Sequence, residues 1–204
     1  MKLGLLGEVL GHSLSPVIHE KLFQKLGISS TYELIEIPGD TFQKDLPGLL
    51  GRYDGLNVTI PYKVDVIPFL DELSKEAATI GAVNTIARKK SRLMGFNTDY
   101  MGFSRTLDRI DCRMEGKDAV VLGHGGASRA IIQCLFDRKA GAIHVISRHP
   151  DKVDEDFLSF AEKRNVKIES YDSLQEKGDR YLLVNATPVG MYPKTGVSPL
   201  PSDI

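Results

Sequence analysis

Short apolar runs alternate with amphipathic stretches along the whole chain, a pattern typical of βαβ units and a largely parallel sheet. In the first half, the apolar runs predict strands at residues 3–7, 31–37 and 54–59. Apolar positions at helical spacing predict helices at 15–26, 40–50 and 71–80. The expected fold class is therefore α/β.

A predicted hairpin over residues 84–97 has a polar Lys-Lys-Ser turn and leads into a helix at 98–110. The charged stretch "DCRMEGKD" then interrupts the pattern, and we expect the domain boundary there. This gives a first domain at 1–110 and a second at 111–204.

The pattern restarts in the second domain with strands and helices in alternation. The strands are predicted at 118–122, 142–147, 166–169 and 181–185, and the helices at 127–138 and 151–164. A doubly wound dinucleotide domain ordinarily has six strands. Four predicted strands therefore indicate an incomplete Rossmann-like domain.

A glycine-rich turn joins the first strand and helix of this domain in "DAVVLGHGGASRA". A dinucleotide pyrophosphate needs a turn without side chains, so that backbone N–H groups and a helix N-terminus reach its oxygens. The candidate cofactor-binding residues here are Gly123, Gly125, Gly126 and Ala127. Ser128 occupies the third glycine's place, so Ala130 is the candidate for close helix packing. The alternative is an ordinary glycine-rich turn.

The end of the next strand, "ISRHPDK", bears on which nucleotide binds. A free ribose 2′-hydroxyl usually meets a carboxylate here, whereas a 2′-phosphate needs a cation. Arg148, with Ser147 beside it, favours NADP(H) over NAD(H), although Asp151 is close in sequence. The alternative is that Arg148 is a solvated surface residue.

Polar residues also follow the predicted strands of the first domain, where open α/β sheets bind ligands. In "GHSLSP", Ser15 is expected to cap a helix whose first position is Pro16, and Ser13 precedes it. Two hydroxyl groups and a positive helix end could hold a carboxylate. A simple polar turn would also explain these residues.

Further polar side chains come at the next strand ends. They are Thr59 and Lys63 in "NVTIPYK", Asn84 in "GAVNT" and Asp99 in "GFNTDY". Lysine on a helix is usually solvated, and an aspartate at this position could simply cap its helix. Spacing alone therefore leaves the roles of these four residues open.

The composition indicates a folded protein that does not bind polyanions. The chain is 42% hydrophobic, and its net charge of -1 comes without a long basic run, so no nucleic-acid partner is expected. No apolar stretch approaches membrane-spanning length, and Cys112 and Cys134 match no disulfide framework or metal spacing. We expect a cytoplasmic protein without a metal and make no prediction of its oligomeric state.

Six stretches in order resemble the shikimate dehydrogenase family over almost the whole chain: "HSLSP", "NVTIPYK", "GAVNT", "GFNTDY", "GHGGASRA" and "NATPVGM". The resemblance implies an N-terminal substrate domain, a Rossmann-like NADP domain and an active site between them. It also implies NADP-dependent interconversion of 3-dehydroshikimate and shikimate in aromatic amino acid biosynthesis.

The resemblance further implies a role for each matching residue. Ser13 and Ser15 would bind the substrate carboxylate, and Thr59 and Asn84 would contact its hydroxyl groups. Lys63 and Asp99 would form the catalytic pair. Near the cofactor, the implied residues include Thr187 and Met191 of "NATPVGM".

The sequence also departs from the family pattern. His124 stands where a small residue is usual, and the family continues beyond residue 204 with further strands, a substrate-contacting glutamine and a packing helix. A shortened, inactive fragment that binds only shikimate or nucleotide is therefore an alternative hypothesis. Quinate as a second substrate and a folate-type dehydrogenase are others, although "HSLSP" suits a small carboxylate better than a folate.

Overall fold

The computed structural model describes residues 1–174, 181–192 and 194–200. The chain forms two compact units, Met1–Thr98 and Asp99–Ile204. Each unit has its own sheet, and the α/β class expected from the sequence is confirmed.

The first unit contains six strands and three α-helices within its described residues. The strands are β1 (Lys2–Gly7), β2 (Thr31–Glu36), β3 (Gly55–Val58), β4 (Glu72–Leu73), β5 (Thr85–Lys89) and β6 (Arg92–Phe96). The helices are α1 (Ser15–Leu26), α2 (Phe42–Leu50) and α3 (Lys75–Ile80). The sheet order is β2-β1-β3-β5-β6-β4, so the predicted strands and hairpin are confirmed.

The direction of each strand decides which loops meet. β1 pairs in parallel with β2 and with β3, whereas β5 is antiparallel to both β3 and β6. The core of the unit lies on one sheet face, where α2 buries Phe42, Leu46 and Leu50 at helical spacing.

The helix predicted at 71–80 is instead a short strand followed by a shorter helix. Glu72 and Leu73 pair with β6, and Ser74 then begins α3 by accepting a hydrogen bond from the Ala77 backbone N–H at 3.1 Å. Pairing of β4 with β6 at the sheet edge and a serine cap on α3 outweigh the helical propensity of residues 71–73.

The second unit contains four parallel strands among its described residues. They are β7 (Ala119–Leu122), β8 (Ile143–Ile146), β9 (Val166–Glu169) and β10 (Leu182–Asn185), in the order β10-β7-β8-β9. The helices are α4 (Asp99–Arg109), α5 (Gly126–Asp137) and α6 (Glu155–Glu162). This order equals that of the first four strands of a Rossmann sheet.

Two features of the second unit differ from the predicted bounds. The break between units falls before α4, because α4 packs on α5 through a hydrogen bond from the Tyr100 hydroxyl to Asp137 and an ion pair between Arg138 and Asp108. The helix predicted from residue 151 begins at Glu155, where the Asp154 side chain caps it. Among the described residues, no helix is long and apolar enough to cross a membrane.

Two glycine substitutions test this packing in opposite directions. Gly102→Ala should raise the free energy of unfolding by about 0.5–1 kcal/mol, because Gly102 is exposed within α4 and an added Cβ meets no atom within 4 Å. Gly95→Ala should lower it by about 1–3 kcal/mol, because its Cβ would lie 2.7–2.8 Å from three core side chains. Denaturant unfolding measures both, and equal effects would contradict the packing described.

Candidate active site

The candidate substrate residues of the first unit follow or precede strands at one edge of its sheet. β1, β3 and β6 run in one direction, so the loops after them share an edge with the loop before antiparallel β5. Ser13 and Ser15 follow β1, Thr59 and Lys63 follow β3, and Asn84 precedes β5. The topology therefore brings all five candidate residues of this unit to the same edge.

The serine turn differs from its predicted form. α1 begins at Ser15, its cap position is Leu14, and no side chain caps it. Instead, Ser13 Oγ accepts a hydrogen bond from the Ser15 backbone N–H at 3.2 Å. The prediction that Ser15 caps α1 is wrong, because the helix begins one residue earlier than a Ser15 cap requires.

Thr59 and Lys63 lie in a run of turns and not on a helix. The Thr59 N–H donates to the Leu6 carbonyl at 2.9 Å, and the Lys63 carbonyl accepts from the Val83 N–H at 2.7 Å. The second bond fixes the Lys63 backbone beside the residue that precedes Asn84. Lys63 is half-buried.

Asn84 is buried and joins the start of β5 to the end of β6. Its Oδ1 accepts from the Thr98 backbone N–H at 2.9 Å, and its Nδ2 donates to Thr98 Oγ1 at 2.8 Å. A buried amide must satisfy its polar atoms, so these bonds hold its orientation.

Sequence reasoning did not select two residues that connect to this edge, Tyr32 and Thr85. The Tyr32 hydroxyl donates to Asn57 Oδ1 at 2.8 Å, and Asn57 Nδ2 donates to Thr85 Oγ1 at 3.3 Å. Burial raises the pKa of Tyr32 to about 12, partly offset by a hydrogen bond from Ser15. The available signal was Asn57, a polar residue inside an otherwise apolar strand.

In the second unit, the glycine turn after β7 has the geometry that a dinucleotide requires. Gly123 has φ +93°, and a Cβ there would lie 3.0 Å from Thr187 Cγ2. Gly125 is extended and exposed, and an added Cβ would meet open space. Ser128, in the third glycine's place, is buried and donates to the Gly123 carbonyl at 2.8 Å. The hydroxyl therefore holds the turn closed.

The start of α5 suits an anion. Within the described chain, no side chain caps this helix and its first turn carries no acidic residue. Gly126 and Ala127 open the helix, so their N–H groups belong to the first turn, where the helix dipole favours negative charge. Ala130 is fully buried, as its predicted packing role requires.

The remaining cofactor candidates follow β8 and β10 at the same sheet edge. Ser147 is buried and its Oγ accepts from the His149 N–H at 3.1 Å, whereas Arg148 is exposed. Thr187 donates through Oγ1 to Asn185 Oδ1 at 2.7 Å, and Met191 is exposed. β7 has β8 on one side and β10 on the other, so the glycine turn lies at a topological switch point.

The fold and this turn define a class, a two-unit α/β protein whose second unit has the Rossmann strand order and a dinucleotide-type turn. A family model described as the shikimate dehydrogenase substrate binding domain matches residues 5–86. The shikimate dehydrogenase (NADP(+)) of Clostridium perfringens strain 13 is 46% identical over 198 residues, which cover 96% of this chain and 71% of that protein.

Solved structures give the same result. Shikimate dehydrogenase 1 from Peptoclostridium difficile has a TM-score of 0.86 at 40% identity, and the match covers 98% of this chain and 72% of that one. The Thermus thermophilus enzyme, in complex with NADP(H) and shikimate, has a TM-score of 0.81 at 34% identity, with 100% and 74% covered. The chain belongs to the shikimate dehydrogenase family.

The described conformation of the glycine turn can be tested by measuring the stability of two alanine variants. Gly123→Ala should lower the free energy of unfolding by about 1–3 kcal/mol, because alanine is strained at positive φ and its Cβ would crowd Thr187. The matched Gly125→Ala should change it by less than about 1 kcal/mol, because that backbone is extended and open. Denaturant unfolding distinguishes the two, and a larger loss for Gly125→Ala would contradict the described turn.

Proposed function

We propose that this protein catalyses the NADP-dependent, reversible reduction of 3-dehydroshikimate to shikimate, a step in aromatic amino acid biosynthesis. Relatives that are 46% and 42% identical to it carry the name shikimate dehydrogenase (NADP(+)). The observation that carries the proposal is the gathering of Ser13, Ser15, Thr59, Lys63 and Asn84 at one sheet edge of the first unit.

The first unit is the proposed substrate domain. Ser13 and Ser15 bind the substrate carboxylate, to which hydroxyl groups and the positive end of α1 are complementary. Thr59 and Asn84 contact the ring hydroxyl groups. The support for these roles is the shared sheet edge, the fixed Asn84 amide and the match to the family's motifs.

Lys63 and Asp99 are the proposed catalytic pair. Hydride addition to a ketone leaves an alkoxide, so Lys63 donates a proton from its ammonium group in reduction and accepts one in oxidation. Asp99, the first residue of α4, orients the amine and balances its charge. The two residues belong to different units, and their pairing is proposed from the family motifs.

The second unit is the proposed NADP domain. Gly123, Gly125, Gly126 and Ala127 would hold the pyrophosphate, because the turn is free of capping side chains and acidic residues. Ser147 and Arg148 would hold the 2′-phosphate, and Thr187 and Met191 would border the cofactor. When bound, the nicotinamide supplies or accepts the hydride.

The alternative, an inactive fragment that only binds shikimate or nucleotide, is less favoured. The described residues retain the glycine turn, the serine turn and Lys63, and the relatives are named as enzymes. Quinate as a further substrate is distinguished by assaying both acids. We also propose a cytoplasmic location, which the two free, buried cysteines support.

Replacement of Lys63 tests the proton exchange. Lys63→Ala should lower kcat for NADP-dependent shikimate oxidation by about 10²–10⁴-fold with a much smaller change in KM, because the alkoxide loses its proton partner. The measurement is the absorbance of NADPH over time. Lys44→Ala removes an exposed lysine on α2 and should change neither constant. Near-normal turnover of Lys63→Ala would contradict the assignment.

Replacement of Arg148 tests the choice of nucleotide. Arg148→Ala should weaken NADP⁺ binding by about 10–100-fold, because a 2′-phosphate loses a charge-assisted partner, and should leave NAD⁺ binding almost unchanged. Calorimetric titration with each nucleotide measures this, and Arg113→Ala provides an exposed control. Equal losses for both nucleotides would contradict a role for Arg148 in holding the 2′-phosphate.

A further inference from the structure

A set of hydrogen bonds crosses the sheet of the first unit from Tyr32 in β2 to the end of β6. The Tyr32 hydroxyl bonds to Asn57, which bonds to Thr85. Thr85 Oγ1 then contacts Asn84 Oδ1 at 3.0 Å. The set therefore joins Tyr32 to the proposed hydroxyl-binding asparagine.

One backbone group determines which atom donates and which accepts in each of these hydrogen bonds. The Thr98 backbone N–H can only donate, so the Asn84 atom that it contacts must be the carbonyl oxygen Oδ1. Thr85 Oγ1 contacts the same oxygen and must donate its single proton to it. Thr85 can therefore only accept from Asn57, so the nearer atom of Asn57 is Nδ2.

The same logic continues to Tyr32. With Nδ2 towards Thr85, Asn57 turns its Oδ1 towards Tyr32, whose hydroxyl must donate to it at 2.8 Å. A backbone N–H after β6 thereby dictates the proton position on a side chain of β2.

Tyr32 is also linked to the serine turn by packing. Its ring stacks on His19 with centroids 3.8 Å apart and planes 14° apart. His19 Nδ1 lies 2.9 Å from the Ser15 carbonyl oxygen, and because a carbonyl only accepts, Nδ1 carries the proton. Tyr32 is therefore linked through His19 to the backbone of Ser15.

We propose that Tyr32 is a positioning residue for the substrate site. Its ring packs on His19, which bonds to the Ser15 backbone, and its hydroxyl orients Asn57 within the directed chain, so that the serine turn and the amide groups are oriented before the substrate binds. The inference rests on the proposed function of Ser15 and Asn84, and it adds a residue that lies within β2 and away from the loops that carry them.

The hydrogen-bonded chain predicts a larger effect on shikimate binding than on turnover. Pre-oriented groups lose less conformational freedom when the ligand binds, so losing the orientation weakens affinity. The proposed proton donor, Lys63, is not among the residues of the chain, so the chemical step should be little changed.

The first test is Tyr32→Phe, which keeps the ring on His19 and removes the hydroxyl. We expect the Kd and KM for shikimate to rise about tenfold, as loss of one oriented hydrogen bond implies, with kcat and the Kd for NADP⁺ within about twofold of wild type. Tyr53→Phe is the matched control, because its hydroxyl donates at 2.8 Å to Glu33, outside the chain. It should change none of these constants.

The second test is a double-mutant cycle with Thr85→Val, which removes another hydroxyl of the chain. If the bonds act as one directed chain, either substitution breaks it, so the double variant should bind shikimate within about twofold of the weaker single variant. If the two substitutions acted independently, their fold-changes in the Kd for shikimate would instead multiply. Multiplied effects, or a Tyr32→Phe variant with wild-type shikimate affinity, would overturn the proposal.

Calorimetry of the wild-type protein separates this inference from the proposed function. If wild type binds shikimate and Tyr32→Phe binds it equally well, the positioning role alone is overturned. If wild type binds NADP⁺ but not shikimate, the proposed function is overturned and the positioning role with it. A selective loss of shikimate affinity in Tyr32→Phe, with coupling to Thr85, supports both.

Discussion

Parallel pairing at the centre of each sheet is the constraint on which the rest of this protein depends. β1 lies between β2 and β3, and β7 lies between β8 and β10, in each case with both neighbours parallel to it. Parallel strands end at one edge, so the loops after them collect there. Residues distant in sequence thereby share an edge within each unit.

Polar groups inside the first sheet are acceptable because each finds a partner. Asn84 is buried, and Asn57 and Thr85 are half-buried between strands, where an unpaired amide or hydroxyl would cost about 1–3 kcal/mol. The bonds give each of these three side chains at least one partner, in a fixed order. Such satisfied chains stabilise one arrangement of side chains over its alternatives, which a site for a small hydroxylated acid requires.

The residues of the glycine turn in the second unit are restricted by backbone conformation and by the space around them. Gly123 has a positive φ of +93°, and a Cβ there would lie 3.0 Å from Thr187 Cγ2, whereas a Cβ at Gly125 would meet no atom within 4 Å. Ser128 replaces the usual third glycine without loss, because its hydroxyl closes the turn on the Gly123 carbonyl. A serine in place of the third glycine is thus compatible with the geometry of the turn.

The sequence by itself determined the α/β class, most strands and helices, the glycine turn and the family, because these depend on local periodicity and on short motifs. It wrongly made Ser15 the cap of α1, and it missed the strand β4, because β4 forms by pairing with β6, which is remote in the chain. Only the tertiary structure decided that Asn57 and Thr85 join Tyr32 to Asn84, since a hydrogen-bonded chain across neighbouring strands has no periodic signature in any one of them.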